Sequence, residues 1–459
     1  MSDELPEGWV RTKLNATLEP GGLFDGPFGS SLKTSDYTDS GVRVIRLENL
    51  SNLRFITDKE TYISEAKYQS LLKHTVIPED ILVGSFVDGA VRVCLLPNLP
   101  TKAIAKADCF TVRTRPDIAN RRFVAFQLGT VDVRDAFVED IHGATRPRIT
   151  TKQLRDCELS LAPLPEQHRI VEKVEALLEQ VNRAKARLDR VPLILKRFRQ
   201  AVLAAACSGE LTSESELDAW EMLTIGSVAW VGTGSTPLRT NSSFYSRNGT
   251  PWITSAATAL PFVTHAEEFV TDEAINVHRL KKYPIGTLLV AMYGEGKTRG
   301  QVSELAIEAT INQAMAAIVV DGKRANREFV KLHLQGNYLQ MRSLSEGGNQ
   351  PNLNLSKIKN FPLYLPSLQS QKRIVARVQA FMALADTIER RVQAATARAN
   401  KLPQAILSKA FAGELVPTEA ELARLEGRTY ETAEELLKRV TALGSDAPSN
   451  RKGRGRRTG

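Results

Sequence analysis

The residues of this chain most able to bind a metal or attack a substrate are six histidines, at positions 74, 142, 168, 265, 278 and 333, and four cysteines, Cys94, Cys109, Cys157 and Cys207. The sequence has no H-E-x-x-H, no C-x-x-C and no G-x-S-x-G, so zinc and nucleophile-elbow chemistry find no motif here. Gly296, Lys297 and Thr298 resemble the end of a phosphate-binding loop. The first glycine of such a loop would fall at Ala291, and Gly300 follows where a helix should start, so Met292 to Gly300 reads better as a basic loop with Lys297 and Arg299 as phosphate contacts. No catalytic, metal or cofactor site is expected in this chain.

What the sequence offers is recognition chemistry. Gly26 to Thr34 (GPFGSSLKT) and Gly232 to Asn241 (GTGSTPLRTN) combine flexible backbone, hydroxyls and one basic residue each; their candidate DNA contacts are Phe28, Ser30, Ser31 and Lys33, and Thr236 and Arg239. Gly143 to Thr151 (GATRPRITT) supplies Thr145, Arg146 and Arg148, whereas Gly347 to Asn354 (GGNQPNLN), at the equivalent place, supplies Asn349, Gln350 and Asn352. Arginine matches guanine O6 and N7, and Asn or Gln matches adenine N6 and N7, so equivalent loops with different side chains could read different bases. Gly-Pro-Asn loops also serve simply as turns, and both readings stay open for any one residue.

Two copies of one scaffold must position these loops. At a constant offset of 204, Gln167, Arg169, Ile170 and Val171 fall on Gln371, Arg373, Ile374 and Val375, and Gly209, Glu210 and Leu211 on Gly413, Glu414 and Leu415. Upstream the register drifts: Ile81 to Phe86 (ILVGSF) resembles Leu288 to Tyr293 (LLVAMY) at 207, and Trp9 resembles Trp220 at 211. Each copy opens with short β-rich runs and a few helical pieces, such as Arg121 to Leu128, and closes with a heptad seam. The first seam includes Ile170, Val174, Leu177, Val181 and Leu188, the second Ile374, Val378, Phe381, Ile388 and Val392. Pro192 and Pro403 predict a kink or a two-part helix in each, and Gly209 and Gly413 predict left-handed caps.

The expected fold is therefore α+β: two pseudo-symmetric strand-rich domains separated by two long antiparallel coiled-coil helices. Recognition domains are expected at 1–163 and 213–366, spacer helices at 164–212 and 367–416, a helical extension at 417–443 and a disordered basic tail at 444–459. Core helices of a bundle are the alternative reading of the seams, and a coiled-coil interaction scaffold without DNA binding is the alternative function.

Composition agrees with folded domains. Hydrophobic residues make up 42% and charged residues 25% of 459, which excludes a mostly disordered or collagen-like chain. The net charge of +9 points to a polyanion, but Arg451, Lys452, Arg454, Arg456 and Arg457 place much of it in the Gly-rich tail. Widely spaced cysteines suggest core residues in a reducing compartment. The start of the chain lacks the features of a signal peptide, and no apolar run reaches 18 residues, so a soluble cytoplasmic protein is expected.

The opening LPEGWVRTKL (Leu5 to Leu14), the GPFGSSL loop, the junctions PLPEQHRIV (Pro163 to Val171) and PSLQSQKRIV (Pro366 to Val375), and the ends SGEL (Ser208 to Leu211) and AGEL (Ala412 to Leu415) together resemble the specificity subunits of type I restriction-modification enzymes. That resemblance covers nearly the whole chain. It implies two target recognition domains, each reading half of a bipartite sequence in double-stranded DNA, with the helices setting the unread gap. It further implies a non-catalytic chain that docks two methyltransferase subunits, which use S-adenosylmethionine to methylate adenine, and restriction (motor) subunits that use ATP and Mg. The sequence departs from the minimal family plan in Pro417 to Leu443, where Thr418 and Glu421 form a possible capping box and where the expected place is against a partner subunit.

Overall fold

Successive residues of the strand Ile81–Asp88 alternate between two apolar environments, and this alternation sets the frame of the first copy. Ile81, Val83 and Val87 join Val91, Val93, Phe110, Val112 and Phe123 in one core, while Leu82 joins Ile45, Cys94, Ala105 and Cys109 in another. The second copy repeats the device. Leu288 and Val290 pack with Val302, Ala316, Ile318 and Phe329, and Leu289 between them packs with Ile253, Ile311, Met315 and Ala317. A strand apolar on both faces must be covered on both, which is why each copy has a second sheet on one side and helices on the other.

The computed structural model describes residues 4–139, 148–212, 220–294, 298–345 and 352–445. The chain divides into two units, one built from residues up to Arg187 together with those from Thr396 onward, the other from Leu188 to Ala395. In the first unit the four-stranded sheet has the order Ala90–Leu95, Ile81–Asp88, Cys109–Thr114, Leu18–Phe24. In the second the corresponding order is Val302–Leu305, Leu288–Ala291, Met315–Val320, Ala229–Thr233, with Phe262–Val263 added beside Val302–Leu305. Each unit also pairs two strands in parallel in its second sheet: Val42–Ile45 with Ala103–Ala105, and the end of Tyr245–Ile253 with Thr310–Ile311. A small antiparallel pair closes each base, Val10–Lys13 with Glu158–Leu161 and Glu221–Thr224 with Pro362–Leu365. The observed class is the α+β expected, with two strand-rich units.

Helix entry is duplicated down to single bonds. Asn120 caps Arg121–Leu128, its side chain accepting from Phe123 N–H at 3.3 Å as well as from Arg122 N–H at 2.9 Å, and Asn326 caps Arg327–Gly336, accepting from Phe329 N–H at 2.9 Å. Trp9 meets Phe123 edge-on at 6.2 Å, and Trp220 meets Phe329 at 6.1 Å.

The two proline-containing helices differ. The first is in two parts, Leu164–Leu188 and Val191–Ser208, with Pro192 in the first turn of the second part, where its missing N–H has no intrahelical acceptor to lose. Leu368–Phe411 instead runs unbroken through Pro403 and gives up the bond to the Ala399 carbonyl. Within the second unit, Val191–Ser208 lies antiparallel to the start of the long helix: Arg199 pairs with Asp386 at 2.8 Å and Glu389 at 2.7 Å, while Arg377 donates to the carbonyl of Leu211. Of the seam residues, Ile170, Val174, Val181, Ile374 and Val378 are buried, Leu177, Leu188, Ile388 and Val392 are half-buried, and Phe381 is 38% exposed while meeting Phe198 edge-on. Gly209 (φ 85°) and Gly413 (φ 75°) adopt the expected left-handed conformation.

The extension forms the helices Glu419–Glu426 and Ala433–Ser445. The capping box is present, with Thr418 Oγ accepting from Glu421 N–H at 3.2 Å and Glu421 accepting from Thr418 N–H at 2.8 Å. Part of its apolar face is covered within this chain, since Ala433 and Val440 lie in the core of the first unit and Ala433 N–H donates to Gly8 O at 2.9 Å. Glu166, buried beneath it, accepts from Trp9 Nε1 at 2.9 Å and from Glu419 N–H at 2.8 Å. Glu419 is also buried and pairs with Arg169 at 2.7 Å and Arg428 at 2.6 Å. The basic tail from 446 onward lies outside the described residues.

Candidate nucleic-acid interface

Each unit gathers three segments at one edge of its main sheet, and glycine makes the first approach possible. A Cβ on Gly26 would stand 2.1 Å from the Lys106 carbonyl carbon, and one on Gly234 would stand 1.6 Å from Ile311 O, so each loop rests its backbone directly on the parallel pair. The second segment is the end of the central strand: Ser85 N–H donates to Asp108 O at 2.9 Å, and Met292 N–H to Ala314 O at 2.8 Å. The third is the returning loop, tied by Ile149 N–H to Ser85 O at 2.8 Å and by Leu353 N–H to Met292 O at 3.1 Å.

On this shared frame the side chains diverge. In the first unit Phe28 is 53% exposed, Ser30 and Ser31 are exposed on a short 3-10 turn, and Lys33 is exposed after the buried Leu32. Arg148 lies against Phe86, its guanidinium 5.7 Å from the ring centroid, and ion-pairs with Asp108. Beside them Lys106 Nζ donates to Tyr37 Oη at 2.7 Å, and Arg46 stands 6.0 Å from the same ring. His74 Nδ1 donates to Asp25 O at 2.7 Å, and burial holds this imidazole below its ordinary pKa. Burial likewise pushes the Asp25 carboxyl up, against the N–H groups of Gly26 and Asp108 that donate to it.

In the second unit Thr236 Oγ1 hydrogen-bonds the Gln313 side chain. Arg239 is fixed rather than free: it ion-pairs with Glu268 and lies 5.2 Å from the Tyr245 ring and 4.8 Å from that of Trp252. Arg299 and Asn352 are half-buried, and the Arg299 carbonyl accepts from Arg342 Nη1 at 3.4 Å. Thr145, Arg146, Lys297, Asn349 and Gln350 lie outside the described residues.

Several residues at the site were missed by sequence reasoning. Phe86 and its counterpart Tyr293, the latter 38% exposed, end the two aligned segments, so the pairing of ILVGSF with LLVAMY already held the signal. Asp108 and Asp25 carried none, since both act through loop geometry that spacing does not reveal. The cysteines are free; Cys94, Cys109 and Cys157 are buried and Cys207 is half-buried. Burial raises all four thiols, Cys94 and Cys157 to about 12 and Cys207 to about 11, as suits core residues. Among the described residues no helix is long and apolar enough to cross a membrane.

The two strand-rich units thus carry divergent loops on one frame. Comparison with known proteins defines the class. Residues 218–396 match the family described as the type I restriction modification DNA specificity domain. The chain is 30% identical over 414 residues to the type I restriction enzyme EcoBI specificity subunit of Escherichia coli, covering 84% of this chain and 83% of that one. It is 28% identical over 432 residues to the StySPI specificity subunit of Salmonella potsdam, covering 90% of each. The crystal structure of the HsdS subunit from Thermoanaerobacter tengcongensis shares the fold, with a TM-score of 0.64 at 20% identity, covering 90% of this chain and 99% of that one. The chain belongs to the family of type I restriction enzyme specificity subunits, and its function is DNA sequence specificity within such a complex. A coiled-coil scaffold without DNA binding is not favoured.

Proposed function

We propose that the first unit reads one half of a bipartite target in double-stranded DNA, the second unit reads the other half, and the spacer helices fix the gap between them. The observation that carries this reading is the shared frame with unlike side chains: Phe86, Asp108 and Arg148 in one unit stand where Tyr293, Ala314 and Asn352 stand in the other. One architecture can thus present two different hydrogen-bond patterns to base edges. Phe28, Ser30, Ser31, Lys33 and Arg148 are the contacts of the first unit. Thr236, Arg299 and Asn352 are those of the second, with Arg239 behind them. Thr145, Arg146, Lys297, Asn349 and Gln350, outside the described residues, belong to the same stretches of sequence.

In this reading the chain supplies no catalytic group. It docks two methyltransferase subunits, for which S-adenosylmethionine is the methyl donor to adenine, and restriction (motor) subunits driven by ATP with Mg, all in the cytoplasm. The test is an exchange of residues 18–149 for those of another specificity subunit, leaving Trp9, Glu166 and Gln167 in place. Methylome sequencing of cells carrying the chimera and the methyltransferase should show one half of the motif replaced and the other kept. Change in both halves, or in neither, would refute the modular reading.

A further inference from the structure

Arg148, at the edge of the main sheet of the first unit, has its charge held by an acid and an aromatic ring. Its guanidinium nitrogen Nη2 is paired with the Asp108 carboxylate, its Cζ lies 5.7 Å from the Phe86 ring centroid, and 46% of the side chain is exposed. Its main chain is bridged to Phe86 at the end of the strand Ile81–Asp88. Asp108 is itself held by two bonds from one residue: Ser85 Oγ donates to its Oδ1 at 2.9 Å and Ser85 N–H donates to its carbonyl at 2.9 Å. It sits at φ +73° in the turn closed by Cys109 N–H on Lys106 O at 3.1 Å, a left-handed conformation that aspartate adopts more readily than most non-glycine residues.

A phosphate contact requires charge, and a carboxylate beside the guanidinium cancels much of it. A base contact requires direction: a rigid fork whose free N–H groups point at two acceptors spaced like guanine O6 and N7. The acid at Asp108 therefore works against a phosphate role and in favour of a base-reading one. At the equivalent positions of the second unit Ala314 stands for Asp108, Met292 for Ser85 and Asn352 for Arg148, and the acid-paired arginine described in that unit is instead Arg239, held by Glu268 beside the Tyr245 and Trp252 rings.

We propose that Arg148 is the guanine-reading side chain of the first unit, with Asp108 as the positioning residue that aims it. The proposal rests on the reading of the first unit as one half-site reader, and it goes further by naming the base and the pair of side chains responsible. The half-site read by the first unit then contains a guanine whose recognition depends on this pair.

The test uses the full chain expressed with its methyltransferase, with host genomic DNA as substrate and methylome sequencing as readout, followed by binding of the assembled complex to duplexes carrying the motif. With Arg148→Ala and Arg148→Lys, one guanine of one half-site should become degenerate, discrimination at that base falling about 10- to 100-fold, while the other half is unchanged. Asp108→Asn should relax the same base with the salt dependence of binding preserved, and Asp108→Glu should restore it. A motif unchanged in Arg148→Ala, with weaker binding at every sequence and a shallower salt dependence, would mean a phosphate contact and overturn the proposal. Degeneracy at a base other than guanine would also overturn it. A wild-type chain that yields no bipartite motif at all would instead refute the half-site reading itself, and the assignment of Arg148 with it.

Discussion

Gln167 and Gln371, 204 residues apart, make the same pair of bonds. The Gln167 side-chain carbonyl accepts from Asn120 N–H at 2.8 Å and its amide donates to Ala162 O at 2.9 Å; Gln371 accepts from Asn326 N–H at 2.7 Å and donates to Pro366 O at 2.7 Å. Both side chains are fully buried, and each ties the start of a spacer helix to the N-cap of the domain helix beside it. Replacing Gln167 with Leu leaves a buried N–H without its acceptor, a cost of about 1–3 kcal/mol. Hydrogen exchange should accelerate in Arg121–Leu128 and not in Arg327–Gly336, and Gln371→Leu should give the reverse.

Gly26→Ala and Gly234→Ala place a Cβ against backbone rather than against a side chain that could swing away. Each should cost roughly 1–3 kcal/mol locally and displace one loop. On the proposed reading, each weakens recognition of a single half-site, which competition binding with duplexes altered in one half or the other would resolve. Equal loss at both halves would argue against independent readers.

The extension should loosen in acid. Burial opposes the Glu419 charge, but Arg169 and Arg428 outweigh it and hold this carboxyl below its ordinary value of 4.5. Such a group contributes stability that is present above the unfolded value and is lost as pH falls through the folded one. Glu166 has the opposite sign: burial raises its pKa, so its charged form is disfavoured in the fold and protonation relieves that. Loss of the Glu419 charge should therefore destabilise this network as pH falls below about 4.5, with protonation of Glu166 offsetting part of that loss. Exchange in residues 419–445 followed against pH should show that destabilisation in the wild type, and Glu419→Gln should flatten it.

The spacer makes a geometric prediction. Ile170 and Val174 pack in one cluster with Leu407 and Ala410, which fixes the register between the first spacer helix and the end of the long helix. Inserting seven residues after Val181 and seven after Ala399 preserves the heptad and adds about 10.5 Å of helix, or about three base pairs. The methylated motif should keep both halves and gain that gap; an unchanged gap would remove the ruler role.

How much of this was legible follows from what each residue does. Gln167, Trp9, Gly209 and their counterparts were found because their roles, a buried two-way hydrogen bond, an aromatic edge contact and a left-handed cap, admit few substitutes and so leave matching letters. Pro192 and Pro403 looked alike but were not, since one falls in a first turn and the other in mid-helix, a difference set by where the helix restarts. The candidate contacts on the GPFGSSLKT loop were found because glycine and exposed polar residues advertise a loop. Asp108 was invisible: nothing in KADC announces a left-handed aspartate, and its partner Arg148 lies 40 residues away and meets it only through the sheet edge.

The division of the chain at Arg187 and Ala395 sets an order of assembly. The second unit is one uninterrupted stretch of chain, whereas the first needs Leu407, Ala410, Ala433 and Val440 to close its core. During synthesis from the N-terminus, the half made first must wait for the half made last, and the middle of the protein can mature before its beginning. A nonsense mutation just past residue 395 would thus spare the second reader and strand the first, even though every residue from 1 to 187 had been made.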